Sequence, residues 1–274
     1  MAIDKKLIHF KNKENFENEV ANKNILEHSI VFIQDSREIS THGTEYKFCN
    51  WSILEEQKLS DGVYAVSSTG SLIDYNSADA TSTGVALVAG EHKFMIAKSD
   101  ATNDGSNYNL CWTNNTSDLS LTNYSKVDGT NGFGYLPKPD GTFGGSTHLS
   151  DDFTTWTNGA LSDFNGKANT AVIAAASSHA KDMCTVLNTF NASDSFKDWY
   201  VPACGQLALM YLNMTEINAA LAKIGGTALA AEDYWSSSEH SSGRAWCVRF
   251  GDGNVHYNYD KDSYISRVRF VRDI

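Results

Sequence analysis

The 274-residue chain lacks several features that would assign it to a familiar class. No run of 18 apolar residues occurs, so the sequence predicts no membrane-spanning helix and no membrane insertion. The N-terminus, MAIDKKLIHFKNKENFENEV, has neither an apolar stretch of signal-peptide length nor a small-residue cleavage site, so we expect no secretory signal. A Gly-rich loop of the common phosphate-binding spacings is also missing.

Cysteine is scarce, and its pattern excludes two kinds of site. The chain has five cysteines, Cys49, Cys111, Cys184, Cys204 and Cys247. An odd number without any CxxC pair predicts neither a disulfide framework nor a zinc site. Buried free thiols in a protein made in a reducing cytoplasm are expected instead, although its final location can be a virion released by lysis.

Positive charge is also in short supply. The chain has 22 Lys and Arg against 33 Asp and Glu, a net charge of -11. Phosphate contacts need clustered basic residues, so nucleic acid is not an expected partner. Hydrophobic residues make up 41% of the chain, which is enough for a sizeable core. The 12 Tyr and 6 Trp are notable, because such side chains dominate both cores and binding surfaces.

One segment imitates a calcium loop. Asp100, Thr102, Asp104 and Gly105 follow the spacing of an EF-hand start. The loop's third position is Thr and its twelfth is Cys111, where the motif needs Asp or Asn and Glu. The sequence therefore predicts no metal ion and no cofactor.

The pattern along the chain divides it into a small N-terminal module, residues 1–58, and a larger domain, residues 59–274. In the module, residues 14–20 have helical spacing, and residues 29–33 and 38–43 predict a hairpin. In the domain, hairpins are predicted at 62–74 and 85–97, followed by a loop-rich region, 98–165, with scattered aromatic residues. Together with the helices below, this predicts an α+β fold.

Two helices are predicted in the domain. The first runs over 168–187, with one face that consists of Val172, Ala176, Ala180, Met183 and Leu187. The second runs over 202–212, with a short continuation to 222 that the Gly225-Gly226 pair ends.

The last 40 residues alternate like β-strands. On the strand at 245–250, Trp246, Val248 and Phe250 are predicted to face the core, and Cys247 and Arg249 to face outward. Asp252-Gly253 predicts a hairpin turn after this strand.

Three C-terminal motifs together resemble a known family. They are the run DWYVPACGQLALMYLNMTEIN at 198–218, YWSSSE at 234–239 and RVRFVR at 267–272. These are similar to the variable proteins of diversity-generating retroelements, whose C-terminal domain has a C-type lectin fold. The resemblance covers 198–272 and implies a C-type lectin-like domain with two helices, small antiparallel sheets and long loops. The segment 29–43 is similar, over a shorter stretch, to N-terminal segments of phage tail-associated proteins.

The resemblance implies a hypervariable ligand-binding surface. In this family, error-prone reverse transcription alters template adenines, so Asn codons of the AAC type can change to many residues but never to Trp, Lys, Glu, Gln or Met. Segment 240–265 fits this code, and Trp235, Trp246 and Lys261 lie outside it. The predicted ligand-binding positions are His240, Ser241, Arg244, Cys247, Arg249, Asp252, Asn254, His256, Tyr257, Asn258, Tyr259, Asp260, Asp262 and Tyr264.

The expected function is therefore binding, with no catalytic residues. The predicted partner is a protein or other ligand on a host or neighbouring cell, with attachment to a phage or prophage tail and, by analogy, a trimeric assembly. The Glu-Pro-Asn and Trp-Asn-Asp signatures of calcium-dependent sugar binding are missing. Two alternatives stay open: a bacterial surface adhesin of the same fold, and a formylglycine-type enzyme that would use Cys204 or Cys247.

Overall fold

A computed structural model describes residues 7–10, 30–33, 38–41, 47–50, 59–68, 70–79 and 81–274. By its contacts the chain separates into two compact units, Met1–Leu59 and Ser60–Ile274. The helix predicted at 14–20 and the segment 51–58 lie outside the described residues.

The strands lie in three sheets. In chain order they are β1 (Leu7–Phe10), β2 (Ile30–Ile33), β3 (Glu38–Thr41), β4 (Lys47–Asn50), β5 (Gly62–Val66), β6 (Leu72–Asp74), β7 (Gly84–Ala89), β8 (His92–Ile96), β9 (Gly134–Tyr135), β10 (Asp233–Ser241), β11 (Arg244–Arg249), β12 (Asn254–His256) and β13 (Val271–Asp273). The first unit has the sheet β1-β2-β3-β4, in which β1 and β2 are parallel and the other pairs antiparallel. The antiparallel pairing of β2 with β3 confirms the predicted hairpin.

The second unit contains two antiparallel sheets. One has the order β13-β8-β7-β5-β6, so the first and last strands of this unit share a sheet. Within it, the pairs β5–β6 and β7–β8 confirm both predicted hairpins. The other sheet has the order β10-β11-β12-β9, and its turn before β12 contains Gly253 at φ +77°, a value that favours glycine.

The described residues contain four α-helices: the predicted helix over 202–212 and its continuation are confirmed as two of them, and two shorter helices replace the one predicted over 168–187. The four are α1 (Gly166–Ala176), α2 (Met183–Ser193), α3 (Cys204–Leu212) and α4 (Met214–Lys223). The chain is thus a mixed α+β protein with small antiparallel sheets and four helices. Gly225, at φ +70°, follows the end of α4, as its position in the sequence predicts. None of these helices combines the length and hydropathy needed to cross a bilayer.

The prediction of one helix over 168–187 was wrong. The buried carboxylate of Asp182 accepts hydrogen bonds from the backbone N–H groups of Ser178 and His179, both at 3.0 Å. These bonds stabilise a turn between α1 and α2, because an Asp side chain offers the backbone an alternative to helical bonds. The two helices therefore turn different faces inward, and Val172 and Ala180 are exposed.

The second unit buries two apolar clusters, and strands run between them. Alternate residues of β7 enter different clusters: Val85 and Leu87 pack in the first, and Ala86 in the second. The strand β11 behaves in the same way, with Val248 in the first cluster and Ala245 in the second. Period-2 alternation here separates two cores rather than a core from solvent.

Candidate functional site

The structure sorts the fourteen predicted ligand-binding positions into three groups by exposure. Exposed are Arg244, Asn258, Asp260 and Asp262. Half-buried are His240, Ser241, Arg249, Asp252, Tyr257, Tyr259 and Tyr264. Buried are Cys247, Asn254 and His256. We call the exposed and half-buried members the candidate surface.

The three buried positions correct the expected geometry. Cys247 was predicted to face outward, but its side chain is fully buried in the second apolar cluster. The alternation of β11 was correct, and the error was to assume solvent on its second face. Asn254 and His256 on β12 are 9% and 1% exposed, so they offer almost no surface to a partner.

Two aromatic stacks lie within the candidate surface. The rings of His240 and Tyr257 are stacked at 3.7 Å between centroids, and those of Tyr259 and Tyr264 at 3.3 Å. Burial, with a smaller contribution from the charge of Arg244, lowers the pKa of His240 below its ordinary value. His240 therefore stacks on Tyr257 as a neutral ring at neutral pH.

Each stack rests on a buried tryptophan. Tyr257 packs edge-to-face on Trp246 at 5.1 Å, and Tyr259 packs edge-to-face on Trp235 at 6.2 Å. Both tryptophans are fully buried, and their indole N–H groups donate to backbone carbonyls, at Tyr124 and Leu110. The aromatic side chains of the surface are thus held by rings that belong to the two cores.

Lys261 lies within segment 240–265, between residues of the candidate surface, but its own side chain is completely buried. Its ammonium group donates to the carboxylate of Glu239, also fully buried, and to the carbonyl of Ser242 at 2.9 Å. It lies 4.7 Å from the centre of the Trp112 ring. Burial lowers the pKa of Lys261 below its ordinary value, and the bond and charge of Glu239 oppose this shift.

The backbone of Lys261 ties three segments together. Its N–H donates to the carbonyl of Gly243, and its carbonyl accepts from the N–H groups of Trp112 and Thr113. Glu239 reaches the same neighbourhood from β10, because its carbonyl accepts from the N–H of Tyr124 at 3.0 Å. The loop 257–264 is therefore anchored at its middle residue as well as at its ends.

A carboxylate outside the predicted segment connects three of its members. Asp233 on β10 lies opposite Arg249 on β11, and its side chain accepts from Arg249, His256 and Tyr259. Burial raises the pKa of Asp233, but the bonds and charges of His256 and Arg249 outweigh burial and leave the pKa below its ordinary value. Sequence reasoning missed Asp233, since nothing in its local pattern marks it as a hub.

The arginines of the C-terminal region do not form a free basic surface. Arg267 and Arg269 both pair with Asp100, at 2.9 and 2.7 Å. Asp100, the first residue of the EF-hand-like segment, is thus occupied by arginines. The described residues contain no cluster of His, Cys, Asp and Glu suited to a metal ion.

A second segment borders the candidate surface and was not predicted from the sequence. Gly132 lies beside the hydroxyl of Tyr257, and the neighbouring Phe133 is 48% exposed. The strand β9 that follows pairs with β12, where Val255 lies opposite Gly134. The turn-forming run Asp128-Gly-Thr-Asn-Gly132 was the available sequence signal, but it gave no indication of where the loop would lie.

Comparisons with known proteins do not assign this chain to a family. No family model matches the chain, and no curated protein matches it. Among solved structures it is similar to a fimbrial protein from Bacteroides ovatus ATCC 8483, with a TM-score of 0.49 and 14% sequence identity. The match covers 90% of this chain and 61% of that one, so the chain spans less than two thirds of its neighbour. This likeness is too weak to assign a function.

Proposed function

We propose that the second unit is a ligand-binding domain with a C-type lectin-like fold, and that the candidate surface contacts a molecule on a host or neighbouring cell. The residues of this surface are Tyr, His, Asn, Asp, Ser and Arg, which combine rigid aromatic area with adaptable hydrogen bonding. Attachment to a phage or prophage tail and an oligomeric assembly, which would add avidity to weak contacts, belong to the same proposal.

One observation carries the proposal. Adenine changes cannot produce Trp246 and Lys261 within the segment, or Trp235 and Glu239 just before it, and all four residues are completely buried. Eleven of the fourteen predicted ligand-binding positions are exposed or half-buried. Variation at the exposed members of this set would leave the cores intact, since surface substitutions away from special features usually change stability little.

The enzyme alternative requires a reactive cysteine. Burial raises the pKa of Cys204 and Cys247 well above the ordinary value, and nearby carboxylates, Asp163 and Asp233 respectively, add to the shift. A nucleophilic thiol needs the opposite, a lowered pKa and access to substrate. This observation favours the binding proposal over a formylglycine-type activity, and it leaves the adhesin alternative open.

A cell-binding assay tests the contact surface. The fluorescently labelled protein is compared with the triple variant Asn258→Ala, Asp260→Ala, Asp262→Ala on a panel of bacterial cells. We expect the triple variant to lose at least about tenfold in affinity for any strain that binds the natural protein, because hot-spot groups contribute more than about 1 kcal/mol each.

A matched control separates contact from general charge effects. The triple variant Asp140→Ala, Asp151→Ala, Asn158→Ala removes a similar set of exposed side chains elsewhere on the same unit. It should bind like the natural protein. Equal binding by both triple variants would contradict the proposal.

The retroelement origin is tested at the gene. Codons for the predicted positions should end in C, and a nearly identical adenine-rich repeat should lie close by in the genome. Mixed third positions and no such repeat would exclude diversification by this route while leaving a fixed binding surface possible.

A further inference from the structure

The Asp233 side chain is the meeting point of three predicted variable positions. One carboxylate oxygen accepts from Arg249 Nε and from His256 Nε2, both at 3.0 Å. The other accepts from Arg249 Nη2 at 3.2 Å and from the Tyr259 hydroxyl at 3.0 Å. Arg249 also donates to the Tyr259 hydroxyl at 2.9 Å, which closes a ring of hydrogen bonds.

The carboxylate depends on these donors. The Asp233 side chain is only 12% exposed, so water cannot replace many of its partners. An ionised carboxylate can only accept hydrogen bonds, and a buried one without donors is strongly destabilising. Asp233 itself lies before the segment 240–265, so the proposed diversification would leave it unchanged.

We propose that Asp233 couples positions 249, 256 and 259, so that a change at one of them is tolerated only while at least one of the others still donates a hydrogen bond to this carboxylate. The inference rests on the proposed function where it concerns which variants of the binding surface can exist. Its physical core, the coupling through Asp233, concerns this chain alone.

The residues that adenine changes can produce divide into those whose side chains can donate a hydrogen bond to Asp233 and those whose side chains cannot. Asn, His, Tyr, Ser, Thr and Arg are reachable and can donate from the side chain, and Cys is reachable as a weak donor. Ile, Val, Leu, Phe, Ala, Gly, Pro and ionised Asp are reachable and cannot. The three positions therefore do not vary independently, and combinations without any donor are excluded. Fewer combinations of side chains are therefore available to the candidate surface than independent variation at every position would give.

A double-mutant experiment on melting temperature tests the coupling without any ligand. Arg249→Met and His256→Leu each remove donors, and the two wild-type side chains share Asp233 but no hydrogen bond with each other in the described contacts. The four combinations are measured with Asp233 present and in an Asp233→Asn background. Asp233→Ser, which is smaller and also uncharged, replaces Asn if that background does not fold.

With Asp233 present, we expect the melting temperature of the double variant to drop by about 3 °C or more beyond the sum of the two single-variant drops. The reason is that the carboxylate then loses its last nitrogen donors. In the uncharged background the shifts should add. Folding of the double variant only in the uncharged background would be the strongest support. Additive shifts with Asp233 present, or a double variant that fails to fold in both backgrounds, would overturn the coupling.

Sister copies of the gene separate this inference from the proposed function. Variation at 249, 256 and 259 that always keeps at least one donor supports both. Copies with no donor at all three positions and Asp233 retained would overturn the inference while supporting the function. Coupling in the melting experiment without variation among copies would support the role of Asp233 and contradict the diversified surface.

Discussion

Two segments of the second unit that contact each other differ in whether their polar side chains are buried. In residues 234–239 of β10 every side chain is buried, including three serines and Glu239. In the loop 257–264 only Lys261 is buried, and the rest are exposed or half-buried. The two segments meet through the Lys261–Glu239 pair and through the packing of Tyr259 on Trp235. A rigid strand thus supports a loop whose outer positions are free to change.

Two of the three serines show how the strand accommodates its polarity, whereas the buried hydroxyl of Ser237 has no hydrogen-bond partner among the described residues. The Ser236 hydroxyl donates to the carbonyl of Trp246, and the Ser238 hydroxyl donates to Asp163 at 2.6 Å while it accepts from the N–H of Cys204. Buried polar groups with partners cost little, whereas unpaired ones cost about 1–3 kcal/mol each. The YWSSSE motif is therefore scaffold that connects β10 to β11 and α3.

Breaking the link between the segments should have the largest effect. Lys261→Met leaves the carboxylate of Glu239 buried without its cation, and we expect the free energy of unfolding to fall by about 3–5 kcal/mol. Urea denaturation followed by tryptophan fluorescence measures the loss.

The matched control for this variant removes both charges. Lys261→Met with Glu239→Gln should regain much of the lost stability, because no buried charge is then uncompensated. A double variant as unstable as Lys261→Met alone would show that the ammonium group itself, rather than the pair, holds the loop.

The dependence of stability on pH tests how the charge of Asp233 supports the loop 257–264, which Asp233 contacts through Tyr259. The pKa of Asp233 is below its ordinary value in the folded protein, so its contribution to stability is present above about pH 4 and is lost as the pH falls through the folded pKa. The melting temperature of Asp233→Asn should be below that of the natural protein at pH 7, and the gap should narrow as the pH falls below about 4. A gap that stays constant across this range would mean that the charge of Asp233 contributes nothing.

Two tyrosines of the loop should differ although both are half-buried. The Tyr259 hydroxyl donates to Asp233 and accepts from Arg249, so Tyr259→Phe should reduce the free energy of unfolding by about 1–2 kcal/mol. Tyr257 contacts its neighbours by ring stacking, so Tyr257→Phe should change it by less than about 0.5 kcal/mol. Thermal unfolding of the two variants side by side decides this, and equal losses would contradict the assigned contacts.

The outermost positions should have the smallest effect on stability. Asn258→Ala and Asp262→Ala remove exposed side chains, and each should change the free energy of unfolding by less than about 0.5 kcal/mol. A clear destabilisation in chemical denaturation would place either residue in the scaffold instead of on the contact surface.

Local patterns predicted the local structure well. The hairpins of β5–β6 and β7–β8, the alternation of β11 and the glycine after α4 all follow from short-range rules. The long helix failed because the break depends on one carboxylate, Asp182, whose bonds to the backbone compete with helical ones.

The site was harder to predict, because burial on both faces of a strand depends on distant partners. Cys247 alternates correctly with Trp246, but only the three-dimensional structure shows a second core on its side. The side chains of Asp233 and Lys261 contact residues from separate strands and loops. No sequence spacing predicts that such residues lie close together. The aromatic positions of the candidate surface were predicted from the family resemblance, whereas their supports could not be predicted.

Sequencing of sister copies of this gene tests the central claim most directly. Our account predicts that differences concentrate at the exposed and half-buried positions of 240–265, foremost 244, 257, 258, 260, 262 and 264. It predicts none at Trp235, Trp246 and Lys261, which are completely buried. Differences spread evenly along residues 60–274, or frequent replacement of those three residues, would contradict the account.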